Sequence, residues 1–195
     1  MTNMQKLIIL DNGHGKETPG KRSPVWSDGT QLFEYEFNRD VVQRIAAKLK
    51  TAGIPYHILV PELTDISLEE RCKRANAITK EYKAKGIEAI LISIHANAGG
   101  GKGWECYTSP GKTKSDTYAE ILYKHFCDIF GKQAMRVPPL KEERFFILIN
   151  TSCPAILTEN FFMDTLSDCQ YLMSDKGRET IAYAHVQAIK EMLTV

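Results

Sequence analysis

At 195 residues, with 43% hydrophobic and 25% charged side chains, the chain has the length and composition of one globular domain with a sizeable core, which excludes a disordered chain and a membrane protein. Lys and Arg number 25 against 24 Asp and Glu, a formal net charge of +1. No overall field would therefore recruit nucleic acid or an anionic bilayer, and a substrate has to be recognised locally.

The first predicted element is the strand "KLIIL" (6–10), followed directly by the loop "DNGHGKETPGKRS". Gly15 through Lys21 has the glycine, four-residue, glycine, lysine spacing of a phosphate-binding loop, but Arg22 stands where Ser or Thr is required to meet Mg²⁺. The helix that should start there is replaced by the turn residues "SPVWSDGT", so no helix N-terminus is offered to a phosphate. Residues 31–52 carry Phe33, Phe37, Val41, Ile45 and Leu49 at helical spacing and stop at Gly53 with Pro55 beyond.

"YHILV" (56–60) reads as the second strand, and 67–84 as a helix opened by Ser67 and Glu70 at capping-box spacing. "EAILISI" (88–94) and "GWECYT" (103–108) are strands, separated by a helix at 113–130 from "FFILI" (145–149) and "AILT" (155–158), also read as strands. Residues 132–144, with Pro138 and Pro139, form the longest apparent loop of the second half, and 175–193 the last helix. Short apolar runs alternating with helical segments predict an α/β single domain spanning 1–195, a mostly parallel six-stranded twisted sheet with helices on both faces.

The Cys residues at 72, 106, 127, 153 and 169 contain no C-x-x-C pair and read as reduced core thiols. "LIIL" is too short for a signal peptide and no run reaches membrane-span length. The expectation is a chain made in the cytoplasm, without a wall-binding module, that reaches its target by another route.

In open α/β sheets functional groups gather beyond the carboxyl ends of the strands. Three predicted strand ends carry such groups: Asp11-Asn12-Gly13-His14-Gly15, Ser93-Ile94-His95-Ala96-Asn97 and Thr158-Glu159-Asn160. Two imidazoles and a carboxylate, with a fourth position left to water, form a catalytic zinc site, and a further carboxylate supplies a general base. Glu34 is the candidate third ligand: it lies in the first turn of the 31–52 helix, four residues before Asn38 and on the same face, whereas Glu36 points elsewhere. The residues alone also allow His14 to be a turn residue, His95 a hydrogen-bonded core histidine and Glu159 the partner of an arginine. His57, His125 and His185 lie inside a strand or helices and are weaker candidates.

Taken together, "ILDNGHG", "EYEFN", "DISLEERCKRAN", "LISIHANA", "GWECYTSPGKTKS" and "FFILINTSCPAILTENFF" resemble the zinc-dependent N-acetylmuramoyl-L-alanine amidases of the third amidase family over nearly the whole chain. The resemblance implies a phosphorylase/hydrolase-like fold, a single Zn²⁺ on His14, Glu34 and His95, and Glu159 as the catalytic glutamate. The implied reaction cleaves the amide between N-acetylmuramic acid and L-alanine in peptidoglycan, as in a phage or prophage endolysin. Asn38 and Asn97 would orient ligands or substrate. Arg71 would brace the sheet rim, contact a stem-peptide carboxylate or form a buried ion pair. Where the family commonly has Asp-Pro-Gly-His-Gly-Gly, Asn12 and Lys16 replace the Pro and last Gly, and after the glutamate Phe161, Phe162 and Thr165 stand where it often has Gly, Phe and Asn. Two other functions share these features: a peptidoglycan-binding module without catalysis, and another zinc hydrolase of the wall, a carboxypeptidase or a deacetylase.

Overall fold

A computed structural model of the protein describes residues 6–195. The elements run β1 (Lys6–Asn12), α1 (Glu34–Thr51), β2 (Tyr56–Ile58), α2 (Leu68–Ala84), β3 (Glu88–Asn97), β4 (Trp104–Thr108), α3 (Lys114–Phe130), β5 (Met135–Glu142), α4 (Phe146–Ile149), β6 (Ala155–Phe162), α5 (Leu166–Met173) and α6 (Asp175–Met192). The six strands form one sheet in the order β2-β1-β3-β6-β4-β5. All neighbours pair in parallel except β4 and β6, which are antiparallel. The predicted α/β architecture is thus the observed one.

Alternation along the strands sorts side chains between two faces. Ile8 and Leu10 of β1, Ile90, Ile92 and Ile94 of β3 and Ile156 of β6 enter a large core with α1, α3, α5 and α6. Leu7, Ile9, Ala89, Leu91, Ala155 and Leu157 enter a smaller core under α2 and α4. Continuing the same alternation past the apolar stretch puts Asp11, Ser93, His95 and Glu159 on the smaller-core face at the carboxyl rim. Register aligns them further: Asp11 is opposite Ser93, and His95 is opposite Glu159.

Two predicted elements are corrected. "FFILI" is not a strand but the short helix α4, with Ile147 and Leu148 buried and Phe145, Phe146 and Ile149 partly exposed. A continuous apolar run has no period to separate the two states, and burial of two adjacent residues is a helical pattern. The sixth strand is instead β5, inside the segment read as a loop. It occupies the sheet edge, where Pro138 and Pro139 have no inward ladder bond to forfeit. Helix α5 escaped the sequence reading, having no side-chain cap at Thr165 to mark its start. Ser67 caps α2 by accepting from the Glu70 amide, but the Glu70 carboxylate pairs with Arg74, so the box is half formed. All five cysteines are free thiols and only Cys127 is not buried. No helix among the described residues is long and apolar enough to cross a membrane.

Two packing details fix β6. Phe161 takes a left-handed φ of +64° and is held among Phe130 and Tyr171, a glycine-like backbone under an aromatic side chain. On the other side of the rim, the fully buried His185 of α6 donates from Nδ1 to the Ile181 carbonyl and accepts at Nε2 from the Thr158 hydroxyl. Burial lowers its pKa from 6.5 to about 4. The folded value lies below the unfolded one, so this contribution to stability is complete above about pH 6.5 and is lost as the pH falls towards 4. Comparison of His185→Gln with the parent by urea unfolding across that window should show a flatter pH dependence in the variant, by on the order of 3 kcal/mol.

Candidate active site

The rim loop after β1 carries His14 in a conformation that L-residues seldom adopt, with φ +63°. Two guanidinium groups converge on its carbonyl oxygen: Arg39 Nη1 at 2.8 Å and Arg71 Nη2 at 3.2 Å. Arg71 is buried and fully employed, with Nη1 on Asp11 Oδ1 at 2.6 Å and on the Asn12 carbonyl at 2.8 Å, and Nε on the Ile66 carbonyl at 2.8 Å. The second oxygen of Asp11 accepts from the Ser93 hydroxyl at 2.6 Å. On the opposite side Asn38 donates to the Gly13 carbonyl at 3.0 Å. A Cβ on Gly13 would lie 2.0 Å from the His95 ring, so only glycine lets the loop pass the second imidazole.

These anchors bring together the three residues the sequence singled out from separate elements. His95 Nδ1 lies 3.0 Å from Glu34 Oε1 and His14 Nε2 3.4 Å from the same oxygen, and the two rings meet edge to face with centroids 4.8 Å apart. One donor atom from each of His14, Glu34 and His95 falls within 4.8 Å of the others, a group able to hold a metal ion. Glu34 is almost wholly buried at 2% exposure, at the first turn of α1, where its oxygen also accepts from the Ala96 amide at 3.2 Å. Its burial disfavours charge, yet the two imidazoles hold its carboxyl well below the usual carboxylate range. Burial lowers the pKa of His14; it acts the same way on His95, but there the Glu34 and Glu159 carboxylates prevail and raise it. Apart from its 3.4 Å approach to Glu34, His14 Nε2 is buried without a hydrogen-bond partner, which suits a ligand atom.

Glu159 stands on the neighbouring strand, opposite His95. Its Oε2 is likewise buried and unpartnered, and no arginine pairs with it. Burial pushes its pKa up to about 7, with the Glu34 charge adding to the effect and His95 opposing it. On the far side of Glu159 its antiparallel partner is Glu105, a buried carboxylate held ionised against its burial by Lys141, Tyr107 and Asn97, with Arg136 Nε 2.9 Å away. A cavity of about 410 Å³ opens over this face. His14, His95 and Glu159 line it, as do Lys21, Arg71 and an apolar wall of Leu68 and Phe145 to Ile147.

Of the other sequence candidates, Asn38 is spent on the Gly13 carbonyl and Asn97 on Glu105, and neither lines the cavity. Arg71 reaches it but forms the buried ion pair with Asp11. His57 is exposed on β2, His125 pairs with Glu191, and His185 lies in the opposite core. The sequence reading missed Arg39 and Glu105, and placed Asp11 and Ser93 at the rim without giving them a role. Asp11 and Ser93 share the strand-end, core-face positions that marked His95, a signal that was available; nothing local marks Arg39.

A rim with a metal-capable His-Glu-His group and an unpaired, largely desolvated carboxyl group in one cleft is equipment suited to a hydrolytic α/β enzyme. Residues 8–191 match the sequence model of the N-acetylmuramoyl-L-alanine amidases, and the chain belongs to that family, the third among such amidases. It is 28% identical to the endolysin of Bacillus phage SPP1, over 98% of this chain and 68% of the endolysin. It is also 28% identical to the N-acetylmuramoyl-L-alanine amidase CwlM of Bacillus licheniformis, over 93% of this chain and 66% of that protein. The chain thus spans about two thirds of the length of these relatives. The crystal structure of an N-acetylmuramoyl-L-alanine amidase from Clostridium difficile 630 has the same fold, with a TM-score of 0.81, 24% identity and 97% of each chain covered. The protein is therefore an amidase of this family, and its family is generally metal-dependent.

Removing the Arg71 guanidinium would leave Asp11 charged, buried and unpaired. Arg71→Met is expected to cost about 3–5 kcal/mol, read as a lowered urea midpoint.

Proposed function

We propose that the chain is a zinc-dependent N-acetylmuramoyl-L-alanine amidase catalytic domain, with His14, Glu34 and His95 as the metal ligands and Glu159 as the general base. The observation that carries this reading is the convergence of the three donor atoms within 4.8 Å beside an unpartnered carboxyl group. Two imidazoles and one carboxylate are the donor set of catalytic zinc, with a fourth position open. Bound there, Zn²⁺ would supply Lewis acidity towards the scissile carbonyl and a more acidic water.

The protein groups do the rest. Buried and without an ion-pair partner, Glu159 is the group suited both to take a proton from the attacking water and to return it to the departing L-alanine amine. Without that return an amine is a poor leaving group. Arg39 and Arg71 fix the backbone at His14, and Glu34 receives the Ala96 amide, so the surrounding chain holds the ligand atoms in position. The unpaired Glu159 is a group that a purely binding module would have no use for. Similarity to a phage endolysin and to wall amidases supports peptidoglycan as the substrate, reached by release or export.

Mass spectrometry of digested sacculi should reveal new N-terminal L-alanine, which separates amidase from carboxypeptidase, deacetylase and silent binder; intact stem peptides throughout would sink the reading. Excess chelator should abolish the release and Zn²⁺ restore it, and the parent should bind a single Zn²⁺ that His95→Ala loses. Glu159→Gln should keep the zinc but turn over at least ~10²-fold more slowly.

A further inference from the structure

Of the three cations in the loop between β1 and α1, Lys16, Lys21 and Arg22, only Lys21 borders the cavity. Lys21 is exposed and lines the cavity. Its backbone is fixed, since its carbonyl accepts from the Glu34 amide at 3.0 Å and the next residue, Arg22, bridges to Phe33. Its ammonium, by contrast, forms no hydrogen bond or ion pair with the described residues, while the other basic side chain of the cavity, Arg71, is neutralised. Arg71 is paired with Asp11 and with Asp65 at 3.7 Å, and Asp65 also accepts from Thr18 at 2.6 Å. Lys21 shares the lining of the cavity with His14, His95 and Glu159. The same cavity has an apolar wall of Leu68, Phe145 and Phe146, each more than a third exposed.

A free cation and an apolar wall in one cavity select a ligand with a carboxylate and an aliphatic body. On the cleavage proposed above, on which this inference rests, the muramic carboxyl is consumed in the scissile amide and the N-acetyl sugar is neutral. Acidic groups of the substrate therefore lie on the peptide side. At about 3.5 Å per residue, an acid one or two residues past the cut stays within the dimensions of a cavity of 410 Å³. We propose that Lys21 is a specificity-determining residue: its ammonium pairs with a carboxylate of the stem peptide close to the scissile amide, so that muramoyl peptides with that carboxylate free are preferred over those in which it is amidated.

The test compares two purified disaccharide peptides differing only in whether the carboxylate of the residue after L-alanine is free or amidated, with kcat/KM read from new N-terminal alanine. The parent should favour the free form by about three- to tenfold, the worth of a partly exposed ion pair, chiefly through KM and less so at high salt. Lys21→Met should bring the ratio close to one, and Lys21→Arg should keep it. A ratio of one in the parent, or a preference that survives Lys21→Met, overturns the assignment while leaving the amidase reading intact. Failure to produce N-terminal alanine from either peptide overturns the cleavage reading and this inference with it.

Discussion

The rim depends on the buried pairing of Arg71 with Asp11. Placing a guanidinium and a carboxylate out of water is costly unless every donor and acceptor is used, and here each is: Asp11 takes Arg71 and Ser93, while Arg71 also grips three backbone carbonyls. Those carbonyls belong to both sides of the cleft, Asn12 and His14 on the β1 loop and Ile66 just before α2. One side chain thereby sets the distance between the loop that carries an imidazole and the helix that walls the cavity. Arg39 closes the same loop from α1, reaching the His14 and Glu62 carbonyls. The left-handed His14 is a strained residue held by more contacts than it needs, the condition under which such strain persists at functional sites.

The sheet adds a second order. Because successive side chains alternate, a single face carries Asp11, Ser93, His95, Glu159 and Glu105 across neighbouring strands. Two carboxylates directly opposite each other on β6 and β4 would repel, and the fold assigns them different states. Glu105 is surrounded by Lys141, Arg136, Tyr107 and Asn97 and stays charged, whereas Glu159 is given no such partner and titrates near neutrality. The pair shows how environment, and not residue type, separates a paired carboxylate from an unpaired one.

Much of this was legible in the sequence. The core strands were, because aliphatic runs bounded by turn residues have few other homes, and Glu34 was, because an i, i+4 relation to Asn38 fixes a helix face. "FFILI" was not, since an apolar run without period is compatible with either structure, and β5 was hidden by prolines that an edge strand tolerates. The convergence of Arg39 and Arg71 on one carbonyl was beyond reach as well: it depends on the path of a loop, not on any spacing along the chain. Lys21 was seen first as part of a near-miss phosphate loop, and only the cavity shows which way its charge is turned.

The unequal division of the hydrophobic core between the two faces has a dynamic consequence. Helices α1, α3 and α6 are packed on the sheet by a long list of large buried side chains, Phe37, Tyr118 and Phe126 among them, whereas α2 offers chiefly Cys72 and Ala75, and α4 only Ile147 and Leu148. Local opening has to expose whatever is buried, so the layer with less to expose separates at the lower free energy. The cleft is bounded by that layer. Its far wall is thus the more compliant part of the molecule, able to give way before a bulky polymer while the sheet and the α1 layer stay rigid.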